Sequence, residues 1–329
     1  MYKYPLVTII VVNWNGGETF RNCLKSLKKL SYRNWELIVV DNGSTDGTQD
    51  LATIRNSSNL GFATANNQGW QEAHGQYILL LNNDTLVEPD FLTKLVAHIE
   101  AHPEVGVVQP KIKIMDNSQY LDTVGSFLTW TGFLQHWGYL QADRAEFAKE
   151  AEIFSAKGAC MLIRRQVIDK VGLFDSDFGS YFEETDFCWR VWLAGWRILY
   201  YPHTYILHKV GFTSKRLDPI GVNYHSFKNR LCSLIKNLQL SSFYILLIHL
   251  SILINLSIFY LVRLQVSKFN MIWKAISWNI IHLFSTLSKR SQAQKFRTLS
   301  DKQIFLSVLR PFNYRSMISH FLRSENDFT

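Results

Sequence analysis

The chain has 329 residues, 47% of them hydrophobic, which is enough to bury a large α/β core and excludes a disordered chain. Its net charge of +8 is confined to one end: residues 1 to 217 carry 21 Lys and Arg against 23 Asp and Glu, whereas residues 218 to 329 carry 14 against 4. No nucleic-acid reader motif accompanies that charge, which sets nucleic acid aside as a partner, and four scattered cysteines without a CxxC pair fit a reducing compartment better than a disulfide or zinc framework.

The apolar run Leu6 to Val12 is too short for a signal sequence or a span and reads as a first buried strand. Glu36 to Val40 and Tyr77 to Leu81 read as further strands, separated by helix-patterned segments near residues 18 to 29, 46 to 54 and 62 to 73. This alternation predicts an α/β fold on a doubly wound, mostly parallel, Rossmann-like sheet. Ligands gather at the carboxyl ends of strands in such sheets, and polar residues stand there: Asn13 and Asn15, then Asp41 to Thr48, then Asn82-Asn83-Asp84. No GxGxxG follows the first strand, which disfavours a dinucleotide oxidoreductase.

Asp41 at a strand end suits a base or ribose edge, and the run to Thr48 equally reads as a turn and helix cap. Asp84 should emerge at the same edge. A hard divalent cation shares its oxygen ligands with substrate phosphates, so one carboxylate and a diphosphate make a partial shell, though an acid before Glu88-Pro89 also reads as a helix cap. His208, at a later strand end, adds a nitrogen that Mn²⁺ accepts more readily than Mg²⁺. Glu183-Glu184-Thr185-Asp186 opens a helical-looking segment through Leu193, where acids either complement the helix dipole or supply a base whose pKa Phe182 and Phe187 raise. Phe127, Trp130, Phe133, Trp137 and Tyr139 fit stacking on sugar rings, and equally a place in the core or against lipid.

Residues 237 to 262 contain no Lys, Arg, Asp or Glu, and Phe243 to Val262 is long enough to span a bilayer. His249, Ser251, Asn255 and Ser257 interrupt the run, the basic tail after it opposes a single crossing, and Lys274 makes Met271 to Leu287 a poor return span. The preferred reading is a set of interfacial or re-entrant amphipathic helices on the cytoplasmic leaflet, attracted to an anionic membrane surface, with a true span and a packed bundle as alternatives. The chain is thus expected to divide into a catalytic domain over residues 1 to 235 and a basic, apolar helical membrane-associating region over 236 to 329.

In order along the chain, Val11-Val12-Asn13-Trp14-Asn15, Val39-Val40-Asp41-Asn42-Gly43-Ser44-Thr45-Asp46-Gly47-Thr48, Asn59-Leu60-Gly61-Phe62-Ala63 with Asn66-Asn67, and Leu80-Leu81-Asn82-Asn83-Asp84-Thr85 carry a family likeness. It continues through Gly158-Ala159-Cys160, Phe174-Asp175, Tyr181-Phe182-Glu183-Glu184-Thr185-Asp186, Leu193-Ala194-Gly195-Trp196-Arg197 and His208. Over roughly residues 5 to 235 the chain resembles the family 2 inverting glycosyltransferases of GT-A fold, particularly the bacterial rhamnosyltransferase-like branch that builds surface polysaccharides.

The resemblance implies nucleotide-sugar contacts at Asn13, Asn15, Asp41, Asn66, Asn82, Asn83, Asp84, Gly158 and Ala159, and a divalent cation held by Asp84 and His208. It further implies Glu184 as catalytic base with Glu183 as its neighbour in the motif, and donor or acceptor contacts near Asp122. Asn82 stands where the usual metal motif has aspartate, as in that branch, and Glu184 stands where aspartate is frequent. The expected reaction moves rhamnose or a similar hexose from a nucleoside-diphosphate donor to a lipid-linked or polysaccharide acceptor. Two other classes stay open. A sugar nucleotidyltransferase shares the sheet but needs a glycine-rich phosphate loop, of which Asn13-Trp14-Asn15-Gly16-Gly17 is a poor version, and a catalytically silent nucleotide-sugar-binding partner fits the departure at Asn82.

Overall fold

A computed structural model describes residues 4–211 and 218–310. The strands are β1 (Val7–Asn13), β2 (Trp35–Asn42), β3 (Ile54–Asn56), β4 (Tyr77–Asn82), β5 (Thr85–Val87), β6 (Val105–Ile114) and β7 (Asn117–Thr123). They continue with β8 (Ser126–Thr129), β9 (Leu134–His136), β10 (Ala151–Glu152), β11 (Cys160–Arg164), β12 (Arg197–His208) and β13 (Leu309–Arg310). The helices are α1 (Gly17–Leu27), α2 (Phe62–Gln71), α3 (Phe91–Ala101), α4 (Arg165–Val171), α5 (Glu183–Leu193) and α6 (Pro219–Asn237), followed by α7 (Tyr244–Val262), α8 (Val266–Ile281), α9 (Leu283–Lys295) and α10 (Asp301–Val308).

The main sheet runs β10-β12-β6-β11-β4-β1-β2-β3, with β5 on β12 and β7 on β6. Strands β4, β1, β2 and β3 are mutually parallel, while β11 enters antiparallel between β4 and β6. Side chains alternate between two cores, as the period of a buried strand requires. Val7, Ile9 and Val11 of β1 meet Phe20 and Leu27 of α1 and Leu92 and Leu95 of α3, whereas Ile10 faces Ala63 and Ala65 of α2 and the Trp189 side of α5. The sheet is thus wound on both faces.

One expected helix is absent. Residues 46 to 54 form a single 3₁₀ turn at Gln49–Leu51 and then lead into β3, because Gly47 takes a left-handed φ of 81° and Asp46 spends its carboxylate on the amides of Gly17 and Thr48 instead of opening a helix.

The helical region after residue 218 packs onto the sheet domain. Helix α6 crosses the expected boundary near residue 235 and lies against α5, α8 and α9, and one core runs from Trp189 and Trp192 through Leu231 and Leu234 to Ile272 and Ile304. Lys236, 3% exposed, stands 2.8 Å from Asp175 and 2.9 Å from Asp186. Lys289 of α9 reaches Asp175 as well. Met271 to Leu287 is not one helix but two, broken at His282 between α8 and α9. Among the described residues one stretch, Leu240–Val262, is long and apolar enough to cross a membrane. It buries His249, Leu253 and Ser257 on one side and leaves Leu247, Ile254, Ile258, Phe259 and Val262 exposed on the other.

Candidate active site

Parallel pairing brings the polar strand ends level: Asn13 is opposite Asp41, and Val12 is opposite Asn82. Asn13 is fully buried and donates to Asp41 Oδ1 at 3.0 Å and Thr48 Oγ1 at 2.8 Å, while its own carbonyl oxygen accepts from Asn83 Nδ2 at 2.9 Å. Asp41 Oδ2 accepts from the amides of Gly43 and Ser44, so the carboxylate holds the turn at the mouth of the site. Asn15, at a left-handed φ of 49°, accepts from the Thr45 amide at 2.7 Å. These bonds build a rigid floor from two loops. Asn66 lies buried in α2 and donates back to the Phe62 carbonyl, whereas its neighbour Asn67 grips the Phe174 backbone at both its N–H and its carbonyl.

Asp84 follows β4 and His208 ends β12. They meet because β12 pairs antiparallel with β5 so that His208 lies opposite Thr85. His208 Nε2 is 3.2 Å from Asp84 Oδ1, an oxygen that is buried and makes no hydrogen bond. On the other edge of the ring, Nδ1 is 2.8 Å from Asp122 Oδ2, and Lys157 Nζ donates to both Asp122 oxygens at 2.8 Å. Burial opposes charge on His208, but Asp122 and Asp84 override it and push its pKa up to about 9. Burial likewise opposes charge on Asp122, and the Lys157 ammonium with the His208 ring holds its carboxyl far below the usual range. A buried acid oxygen whose one polar neighbour is an imidazole nitrogen, on a ring anchored from behind, is a donor set that fits a divalent cation once the ring gives up its proton. No group of three or more metal-ligating side chains occurs among the described residues, so the rest of any such shell must come from substrate and water.

Glu183 and Glu184 open α5. The loop before them carries two consecutive left-handed residues, Tyr181 and Phe182, both at φ 71°, and backbone held this way is strained. Asn229 of α6 keeps it in place by donating to the carbonyls of Phe178 at 3.1 Å, Ser180 at 3.0 Å and Tyr181 at 2.6 Å. From the other side Ser180 Oγ accepts from the Phe62 amide and the Gly179 carbonyl from Ala63. Gly61, at φ 87°, packs its α-carbon so close to the Gly179 backbone that a side chain there would collide with it.

Of the two glutamates Glu183 is buried, with Oε2 lacking a hydrogen bond, while Glu184 is half-buried and lies beside Gly158 and Phe62. Burial raises the Glu184 carboxyl, against the pull of its own and the Thr185 amides and of Lys157. Burial raises Glu183 much further, and the Glu184 charge adds to it. The two carboxyls titrate as a coupled pair, both raised by burial. Buried Ala159 accepts the Asn82 amide at 3.0 Å, so the Lys157-Gly158-Ala159 segment lies between Glu184 and the Asp84–His208 pair.

Asn13, Asn15, Asp41, Asn82, Asn83, Asp84 and His208 stand along one sheet edge, whereas Asp186, Asp122 and the aromatic segment have other company. Asp186, the last acid of its cluster, turns inward to Arg190, Lys236 and Asn237. Asp122 is buried behind His208, and the aromatic segment is split: Phe127 and Trp137 stack on each other and on Phe147, Tyr200 and Arg310 in the core, while Phe133 lies beneath Arg230. Lys157, Asn229 and Arg230 were not singled out from sequence. Only Lys157 had a local signal, since it precedes Gly158-Ala159.

A mixed α/β sheet with polar loops at its carboxyl edge is the architecture of the GT-A glycosyltransferases. The match is specific: residues 8–172, half of the chain, fit glycosyl transferase family 2, and the chain belongs to that family. Poly-beta-1,6-N-acetyl-D-glucosamine synthase of Staphylococcus aureus is 23% identical over 206 residues, covering 60% of this chain, which spans about half the length (48%) of that relative. N-acetylglucosaminyl-diphospho-decaprenol L-rhamnosyltransferase of Mycobacterium tuberculosis is 26% identical over 246 residues, covering 65% of this chain and 79% of that one. The mannosyltransferase of Pyrobaculum calidifontis, solved with GDP-Man and Mn²⁺, shares the fold at a TM-score of 0.52 and 20% identity, over 93% of this chain and 86% of its own. S. aureus TarS residues 1–349, solved with UDP-GlcNAc, does so at a TM-score of 0.54 and 16% identity over 88% and 90%.

Proposed function

We propose that this chain transfers a hexose, rhamnose or a close relative, from a nucleoside-diphosphate donor to a saccharide on a lipid-linked acceptor, with inversion, in cell-surface polysaccharide synthesis at the cytoplasmic face of the membrane. The observation that supports it most is the meeting of Asp84 and His208 with Glu184 across Lys157-Gly158-Ala159.

The donor's nucleoside lies over the floor built by Asn13, Asn15 and Asp41, and Asn82 and Asn83 continue that floor toward its diphosphate. Asp84 and His208 would hold Mn²⁺ or Mg²⁺, which neutralises charge developing on the departing diphosphate. Glu184 accepts the proton of the attacking acceptor hydroxyl as the new glycosidic bond forms and the bond from the anomeric carbon to the phosphate oxygen breaks. One base and no separate nucleophile give a single displacement, hence inversion. Asn229 fixes the strained turn that aims Glu184, which fits the need for sub-ångström placement of a base. The exposed apolar side of α7, with exposed Arg263, Lys274 and Lys295 beyond it, fits an enzyme that rests on the bilayer holding its acceptor.

The test is donor hydrolysis and binding across a panel of nucleotide sugars, with Mn²⁺, Mg²⁺ or chelator, in wild type and Asp84→Ala. Release of one nucleoside diphosphate that needs metal and is lost in the variant supports the reading. Binding without turnover of any donor, even with membrane extract as acceptor, sinks it in favour of a silent binding partner.

A further inference from the structure

Most buried cations in this protein are matched to carboxylates, and Lys228, 4% exposed, has the Asp177 carbonyl at 2.6 Å. Lys236 has two carboxylates, Arg190 has Asp186 and the carbonyls of Val171, Gly172 and Leu173, and Arg297 has Asp301 with three acceptors besides. Arg230 has no carboxylate partner among the described residues. Its guanidinium lies between the rings of Phe133, 4.6 Å away, and Phe182, 5.2 Å away, and its hydrogen bonding among the described residues is limited to a long 3.4 Å contact with Ser226 Oγ. Nε is buried and has no partner. Burial with nothing to offset it brings even this guanidinium's pKa down to about 10. A guanidinium with a buried, unbonded Nε beside two aromatic rings has donors to offer an oxyanion supplied from outside the protein.

Its position says which anion. Phe182 is the residue immediately before Glu183-Glu184, and Asn229, beside Arg230, is the residue that pins their loop. On the opposite side Phe133 stacks at 4.5 Å on His249 of α7, the helix whose outer face exposes Leu247, Ile254 and Ile258. Arg230 therefore stands between the proposed base and the apolar helix. The order of base, guanidinium and apolar helix matches the order of saccharide, linking group and lipid in the acceptor proposed above.

We propose that Arg230 binds the diphosphate that joins the acceptor saccharide to its lipid, which makes the acceptor a lipid diphosphate bearing a short saccharide. This rests on the transferase reading above and adds the acceptor's linking group to it.

The probe is farnesyl diphosphate, titrated by calorimetry against the full chain in detergent, with farnesol, inorganic pyrophosphate, phosphatidylglycerol vesicles and the nucleoside diphosphate that wild type binds as comparisons. The expected result is that farnesyl diphosphate binds wild type, that Arg230→Gln weakens it by roughly tenfold or more while Arg230→Lys loses less, and that farnesol binds weakly throughout. Equal farnesyl diphosphate affinity in wild type and Arg230→Gln overturns the proposal. So does a parallel loss of nucleoside-diphosphate binding, which assigns Arg230 to the donor, or a loss confined to phosphatidylglycerol vesicles, which assigns it to bulk lipid. Thermal melts check that each variant folds, and Arg230→Lys keeps the question open to measurement if Arg230→Gln does not. Failure of the underlying reading shows separately, as absence of donor turnover by wild type with membrane extract.

Discussion

His208 is held on both edges of its ring, and the residue that sets its orientation is Asp122, whose Oδ2 lies 2.8 Å from Nδ1 while Nε2 is left facing Asp84. A carboxylate behind an imidazole fixes both its tautomer and its plane, and loss of such a partner typically weakens metal binding 10- to 100-fold. Asp122→Asn is therefore expected to weaken Mn²⁺ binding by roughly 10-fold or more, read by electron paramagnetic resonance titration, while nucleoside-diphosphate affinity without metal is retained. Unchanged Mn²⁺ affinity would reduce Asp122 to a packing residue.

Glu184 gives a pH prediction. Its carboxyl is raised by burial, and a base works only when deprotonated, so kcat/KM is expected to rise with pH through an ionisation above the ordinary glutamate value of 4.5. Glu184→Gln should remove that limb and cost roughly 100-fold or more in kcat. A wild-type profile flat from pH 5 to 8 counts against Glu184 as base.

Glu183 is predicted to act on stability with the opposite dependence. Its folded pKa lies above the unfolded one, so its contribution favours folding below the unfolded value and is lost as pH rises through the raised folded value. Glu183→Gln should thus raise Tm at pH 8 by roughly 2 °C or more relative to wild type, with the gain shrinking toward pH 4. A gain that is the same at both pH values, or none, contradicts it.

The three carbonyls gripped by Asn229 restrain a turn that costs about 1–3 kcal/mol per left-handed residue to hold. Asn229→Ala should lower kcat by about tenfold or more and Tm by several degrees, with donor affinity nearly unchanged, because the donor floor of Asn13 and Asp41 is built from other loops. Equal losses in donor affinity and kcat would point to general unfolding.

The outer face of α7 and α9 offers a prediction about location. Leu247, Ile258 and Phe284 are 66%, 52% and 88% exposed, so changing all three to Ser removes no core contact. Co-sedimentation with phosphatidylglycerol vesicles should fall by about tenfold while Tm holds, and wild-type binding should weaken with salt as the basic residues are screened. Binding that survives both changes places the contact elsewhere.

Much of the centre of this fold was legible because the parallel strands are buried on both faces and so appear as plain apolar runs ending in Asn or Asp. Segment 46 to 54 misled because Asp and Thr suit a helix start as well as a turn, and tertiary bonds to Gly17 and Asn13 decide between them. Asp84 and His208 could be paired only through a resemblance, since the register of β5 on β12 that joins them has no local signature. Arg230 and Asn229 were invisible for the same reason. In sequence they are two polar residues on a basic helix, and their meaning lies in distant partners: for Asn229 the carbonyls of Phe178, Ser180 and Tyr181, for Arg230 the rings of Phe133 and Phe182.

Asp175 draws both of its cations, Lys236 and Lys289, from beyond residue 235, and Asp186 draws Lys236 and Asn237 from there. A chain cut at the apparent edge of the catalytic domain would strand one buried carboxylate without a counterion and half-strip another, two residues from Glu184. Such a truncation would be a lesion of the active site made from a distance. Any exchange of the helical half for another would have to restore those counterions, because the two halves share α6 as a spine.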